Sequence, residues 1–263
     1  MTTTTTAATQ AAGTAMFDLS GHRALVTGAS RGLGAQAART LDAAGALVVL
    51  VARTTRQLEE LASTMSNQPV VLECDLFRDG AVTELVQAAT DTAGTIDILV
   101  NNAGVHIPGA ATELPMESWD LVNRLNVRSA FELTRALAPG MADRGWGSVI
   151  NVASVLGLVG DPLGSAYVTT KSALLGLTRA LATEWASPGV RVNALCPGWV
   201  ATEMTEALAG DAAFGRRLQR RVPLGRWGTC ADMSGALLFL ASHASDFMTG
   251  QALVVDGGLM ASW

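Results

Sequence analysis

The sequence predicts an α/β fold: one doubly wound domain on a seven-stranded parallel sheet, with helices on both faces. Two observations predict it. Short β-branched or aliphatic runs alternate with longer Ala- and Leu-rich segments of helical spacing, such as Leu174, Leu177, Leu181 and Trp185. The runs are apolar throughout, as parallel strands covered on both faces must be. After the first fifteen residues no repeat, linker or change of composition divides the chain, so residues 16–263 read as one unit.

In chain order the strands are expected at Arg23–Thr27, Leu47–Val51, Val70–Glu73, Ile96–Val100, Ser148–Val152, Val190–Leu195 and Ala252–Val255. Ligands of such sheets bind beyond the carboxyl ends of the strands, so the residues that follow each run matter. Thr27-Gly28-Ala29-Ser30-Arg31-Gly32-Leu33-Gly34 closes the first run. Asp75-Leu76 follows the third and Asn101-Asn102-Ala103-Gly104 the fourth. Ser154 lies just past the fifth, and Pro197-Gly198 follows the sixth. Five unusual segments thereby converge on one edge of the sheet.

Composition narrows the function. Hydrophobic residues make up 49% and charged residues only 16%, which leaves little polar cover and points to surface buried between subunits. A net charge of -5 gives no attraction for a nucleic acid. Cys74, Cys196 and Cys230 are scattered without metal-ligand spacing, so free thiols in a reducing compartment and no metal are expected. The longest apolar stretch, Ala43 to Ala52, is too short to span a bilayer. Residues 1–15 are Thr/Ala-rich and uncharged, lacking the basic start of a signal peptide and the arginines of a mitochondrial presequence. They read as a disordered tail on a soluble, cytoplasmic protein.

Gly28, Gly32 and Gly34 stand between a strand and a helix rich in small residues (Ala35, Ala37, Ala38). Glycine permits the tight turn and lets a pyrophosphate approach the N–H groups at the helix start. The spacing is Gly-x3-Gly-x-Gly, and by itself it is weak evidence; with the other strand-end segments it points to a Rossmann-type dinucleotide site. The second strand decides the cofactor. NAD sites place a carboxylate there to accept from the ribose 2′-OH. Here the run ends in Ala52-Arg53, with no carboxylate until Glu59, and Arg31 sits inside the glycine loop. Two guanidiniums suit a 2′-phosphate, so NADP(H) is expected. The bland alternative makes both arginines solvated surface charges.

The chain has one tyrosine, Tyr167, and one lysine, Lys171, the other 17 of its 18 basic residues being arginines. The two are four residues apart in a helical segment, which puts them on one face. A phenol with a pKa near 10 is a sluggish acid or base at neutral pH, and a nearby cation is expected to lower it by about 1–3 units. Ser154 supplies a hydroxyl to hold a carbonyl or alkoxide oxygen. Taken singly, Tyr167 reads as a core residue and Ser154 as a helix cap; their joint placement at the strand ends argues for chemistry.

Thr27–Gly34, Asn101–Gly104, Ser154, Tyr167-Val-Thr-Thr-Lys171 and Pro197-Gly198 resemble the short-chain dehydrogenase/reductase family. The resemblance runs from Phe17 to the end of the chain. It implies that Tyr167 is the catalytic acid/base, that Tyr167 and Lys171 also belong to the cofactor site, and that Lys171 lowers the phenol's pKa and binds the nicotinamide ribose. Ser154 would orient the substrate oxygen, and Asn126 would anchor a water-linked proton relay to the lysine. Ser30, Arg31, Leu33 and Arg53 would join the glycines around the adenosine end, with Asp75 and Leu76 at the adenine. Asn102, Ala103 and Gly104 would line the cofactor cleft. Pro197, Gly198, Val200 and Thr202 would hold the nicotinamide amide. It also implies a homotetramer packed through long helices.

Residues 203–226 match the family's variable substrate lid. Within and around it, His106, Val155, Leu156, Trp199, Met204 and Leu208 are candidate pocket residues, which favours an apolar or aromatic ketone; several of them equally well pack the lid on the body. The alternative substrate is a 3-oxoacyl group on acyl carrier protein or coenzyme A, met by Arg216, Arg217, Arg220 and Arg221, unless these form a solvated helix face. A non-enzymatic NADP-sensing regulator would have no use for Ser154, Tyr167 and Lys171 together. Divergent enoyl reductases space tyrosine and lysine more widely.

Overall fold

The apolar runs form strands β1 (Arg23–Thr27), β2 (Leu47–Ala52), β3 (Val70–Glu73), β4 (Ile98–Asn101), β5 (Gly147–Val152), β6 (Val190–Pro197) and β7 (Ala252–Val255). They agree with the expected runs to within two residues at each end. In the computed structural model, which describes residues 14–262, they make one sheet in the order β3-β2-β1-β4-β5-β6-β7. Every neighbouring pair is parallel. Because successive strand side chains point to opposite faces, the sheet carries two cores. Val26, Leu50, Val100 and Ile150 enter one; Leu25, Val49, Leu99 and Val149 enter the other.

Helices α1 (Gly32–Ala43), α2 (Thr55–Ala62) and, near the end, α9 (Ser234–Ala241) cover the first core through Ala38, Leu41, Leu58 and Leu240. The second lies under α3 (Ala81–Ala93), α5 (Ser129–Asp143) and α6 (Ser165–Trp185), which contribute Leu85, Leu137 and Leu181. Helix α4 (Met116–Asn123) precedes α5, and α7 (Glu206–Ala209) and α8 (Ala212–Arg221) make up most of the lid. Strand order reverses between β1 and β4, and that switch point opens the crevice in which ligands of doubly wound sheets bind.

Of the expected tail, residues 1–13 lie outside the described residues. The carbonyls of Thr14 and Ala15 accept from Phe17 and Asp18 N–H, so these two residues already belong to a turn. His22 stacks half-buried on Trp146, with ring centroids 4.6 Å apart. Among the described residues no helix is long and apolar enough to cross a membrane.

Candidate active site

The crevice is laced shut at its base. The Thr27 hydroxyl accepts from the Asn102 and Ala103 N–H groups, both at 3.0 Å. In return the Asn102 carboxamide donates to the Thr27 and Gly28 carbonyls at 2.9 and 3.2 Å. Gly28 and Gly32 have φ of +63° and +54°, where a side chain is strained. A Cβ on Gly34 would lie 2.2 Å from the Gly28 carbonyl oxygen, so a glycine is needed there for α1 to start this close to β1. Arg31 occupies the N-cap position of α1 without a side-chain cap, which leaves the first-turn N–H groups for an outside acceptor. A crowded glycine turn and an uncapped helix start fit a dinucleotide diphosphate.

Ser30 and Leu33 are half-buried along this turn, whereas Arg31 and Arg53 are exposed and without ion-pair partners among the described residues. The Arg53 guanidinium lies 5.9 Å over the ring of Phe77, a residue that the sequence pattern does not single out. Leu76 is buried below it, and the exposed Asp75 accepts from the Phe77 N–H. Val200 is buried and Thr202 caps the short turn Glu203–Thr205. That turn brings Thr202 and Glu203 over the glycine loop: a Cβ on Gly32 would be 3.5 Å from Glu203 Oε2. Gly198 lies against the backbone of Asp256, held by its N–H to the Val255 carbonyl.

Tyr167 and Lys171 leave α6 one turn apart. Lys171 is buried, and its Nζ donates to the Val152 carbonyl at 2.7 Å while standing 5.4 Å from the centre of the Tyr167 ring. Ser154 is buried at the end of β5, where its oxygen caps the turn Val155–Gly157 by accepting from Leu156 N–H at 3.1 Å. The cap uses the oxygen's lone pair and leaves the O–H as a donor. The cap and the catalytic reading therefore hold together.

The expected lowering of the phenol is not found. Burial pushes Tyr167 up to about 12, and the neighbouring Ser154 side chain only partly offsets this. Burial also pushes Lys171 down to about 8. Desolvation disfavours each charged form, and the ammonium is directed to a main-chain carbonyl instead of the phenol. Tyr167 is thus held protonated.

Asn126 sits in a π-helical turn, Arg124–Arg128, between α4 and α5. π-Turns recur at functional sites, and no periodicity announces this one. The Asn126 carboxamide accepts from Val105 N–H at 2.8 Å and donates to the Val105 carbonyl at 3.0 Å and Thr170 Oγ1 at 3.1 Å. Gly104 is squeezed beside it: a Cβ there would lie 3.2 Å from Asn126 Oδ1 and 3.6 Å from Lys171 Nζ.

On the substrate side, His106 packs its ring edge-on to Tyr167, with centroids 4.8 Å apart. Val155 is buried and Leu156 half-buried next to Ser154. Trp199 meets Phe214 at 5.2 Å and Trp227 at 6.0 Å, an aromatic stack that ties the lid to the body. Leu218 is buried, but Met204 and Leu208 are exposed instead of lining an enclosed pocket. The four lid arginines are exposed, Arg217 lying over the Phe214 ring.

Fold and site together define a dinucleotide-dependent oxidoreductase. The family model described as enoyl-(acyl carrier protein) reductase matches residues 28–260. The chain is 40% identical over 250 residues to gluconate 5-dehydrogenase of Gluconobacter oxydans, covering 94% of this chain and 98% of the relative. A crystal structure of a gluconate 5-dehydrogenase from Burkholderia cenocepacia, in complex with NADP and tartrate, superposes with a TM-score of 0.91 at 37% identity, covering 95% of this chain and all of that one. A 3-oxoacyl-(acyl-carrier-protein) reductase from Agrobacterium tumefaciens with NADP bound gives 0.89 at 32% identity, covering 93% and 96%. The chain belongs to the short-chain dehydrogenase/reductase family, and the dehydrogenases and 3-oxoacyl reductase it resembles act on CH–OH groups or the corresponding ketones.

Proposed function

We propose that this chain is an NADP(H)-dependent oxidoreductase that interconverts a ketone and a secondary alcohol, with Tyr167 as acid/base, on a small hydroxylated acid of the gluconate type. The observation that carries the reaction is the convergence of Ser154, Tyr167 and Lys171 at the carboxyl end of β5, with Lys171 Nζ next to Gly104. When bound, the nicotinamide supplies or accepts the hydride. Tyr167, kept protonated by burial, gives its proton to the alkoxide oxygen that develops on reduction. Ser154 O–H orients that oxygen, and the Lys171 charge compensates the phenolate left behind. Asn126 fixes Val105 and with it the loop that borders the reacting centre.

Arg31 and Arg53, exposed and unpaired with carboxylates, are assigned to the 2′-phosphate; Asp75 and Leu76 to the adenine; Asn102 to Gly104 to the cleft wall. Pro197, Gly198, Val200 and Thr202 are assigned to the nicotinamide amide. Two facts move the substrate away from an apolar ketone: the imidazole of His106 beside Tyr167, and relatives named for gluconate. The likeness to a 3-oxoacyl reductase supports a second reading, a carrier-bound 3-oxoacyl substrate engaging the exposed arginines of α8. The exposed Leu121 and Phe131 on α4 and α5 support a homotetramer, which sedimentation velocity tests.

NADPH consumption over a panel of 5-ketogluconate, carrier-bound 3-oxoacyl groups and aromatic ketones, with chiral analysis of products, tests the reading. Turnover of 5-ketogluconate far above the others is expected. Turnover confined to carrier-bound substrates overturns the sugar-acid reading and favours the second.

A further inference from the structure

His106 holds an unmet hydrogen bond at the edge of the reacting centre. Its Nδ1 is buried and has no hydrogen-bond partner among the described residues. A buried polar atom left without a partner destabilises a fold, so its retention calls for an explanation. The ring is not free to drift away from it. Asn126 grips both the N–H and the carbonyl of Val105, the residue before it. Further on, Gly109 N–H donates to the Leu163 carbonyl and binds the same loop to the segment ahead of α6. The Tyr167 ring closes one side at 4.8 Å. Burial lowers the imidazole's pKa, with Asp161 opposing it in part, so the ring is neutral near pH 7 and offers one donor and one acceptor.

We propose that His106 is a specificity-determining residue that hydrogen-bonds a hydroxyl on the carbon next to the reacting carbonyl, selecting α-hydroxy ketones and vicinal diols over their deoxy counterparts. The proposal rests on the carbonyl reduction assigned above, but not on gluconate as the substrate. With the two rings edge-on and their centroids 4.8 Å apart, the proposal puts the carbon next to the reacting carbonyl on the imidazole side of Tyr167. A hydroxyl there supplies the missing partner, whereas a methylene leaves the nitrogen orphaned. Sites that carry a dedicated polar group discriminate against substrates lacking the matching one more strongly than apolar pockets discriminate by size.

The test compares acetoin with 2-butanone as NADPH-dependent substrates of the full-length protein. The wild type is expected to favour acetoin. His106→Leu is expected to lower the ratio of kcat/KM for acetoin to that for 2-butanone by about tenfold or more. His106→Asn, which restores a hydrogen-bonding group, is expected to recover part of the preference, a rescue that a purely structural role would not give. Thermal melting and NADPH titration establish that each variant is folded and binds cofactor. A wild type without preference, or a Leu variant that slows both ketones equally, overturns the role of His106 while the reaction stands. Failure of any carbonyl compound to consume NADPH overturns the reaction and this inference together.

Discussion

Lys171 donates to the Val152 carbonyl at 2.7 Å, so the only ammonium of a side chain in this protein is anchored to the end of β5 and not to the phenol it faces. The arrangement keeps the positive charge buried at a fixed point near Tyr167, while burial sets the protonation of both groups.

Stability carries the mark of that burial. Lys171 has a pKa of about 8 in the folded chain against 10.5 when exposed. Between those values the unfolded chain binds a proton that the folded one releases, so the lysine's contribution to stability rises with pH. Relative to Lys171→Met, the wild type is expected to gain about 1 kcal/mol between pH 8 and 9. The raised pKa values of Cys74, Cys196 and Cys230 act in the opposite sense from about pH 8 upward, but they do so in both proteins and largely cancel in the comparison. Urea denaturation of both proteins at each pH checks it; a difference independent of pH contradicts the burial of a titrating amine.

Tyr167→Phe removes the only phenol of the chain. Turnover is expected to fall on the order of 10²–10⁴-fold, the usual share of a general acid. NADPH affinity should stay within about twofold, because Tyr167 is assigned to the proton and not to the phosphates. Single-turnover kinetics with fluorescence titration separate the two, and near-normal turnover would remove Tyr167 from the mechanism.

Arg53 lies over Phe77 and has no ion-pair partner among the described residues, and the proposed function assigns it to the 2′-phosphate. Arg53→Asp is expected to lower the ratio of kcat/KM for NADPH to that for NADH by about 10–100-fold, as loss of a charge-assisted contact and gain of a repulsive one require. A wild-type preference for NADH would refute the assignment.

Glu203 brings a carboxylate over the glycine loop, where a diphosphate is expected. Glu203→Gln should tighten NADPH binding by about three- to tenfold at low salt through removal of like charge. The gain should shrink at 0.5 M salt, at roughly which the Debye length falls to about 4 Å. Equal dissociation constants at both ionic strengths would show that the carboxylate turns away on binding.

Much of this is legible in the sequence alone. Continuous apolar runs such as Val48–Val51 mark strands buried on both faces, and a parallel sheet places their carboxyl ends together, so the neighbourhood of Gly28, Asn102, Ser154 and Pro197 followed from order along the chain. The pairing of a unique tyrosine with a unique lysine at helical spacing singled out the pair to which the chemistry is assigned. What local pattern does not encode is contact between distant segments. The π-turn that turns Asn126 onto Val105, the lacing of Thr27 to Asn102 and the stack of Phe214 between Trp199 and Trp227 are of this kind.

Residue types and their spacing therefore determined the sheet, the glycine turn and the shared helix face of Tyr167 and Lys171. Tertiary structure decided the protonation of that pair and the orphaned nitrogen of His106 beside it. The physical reason is that spacing depends on covalent geometry along one segment, whereas desolvation and hydrogen-bond satisfaction depend on every atom that the fold packs around a group.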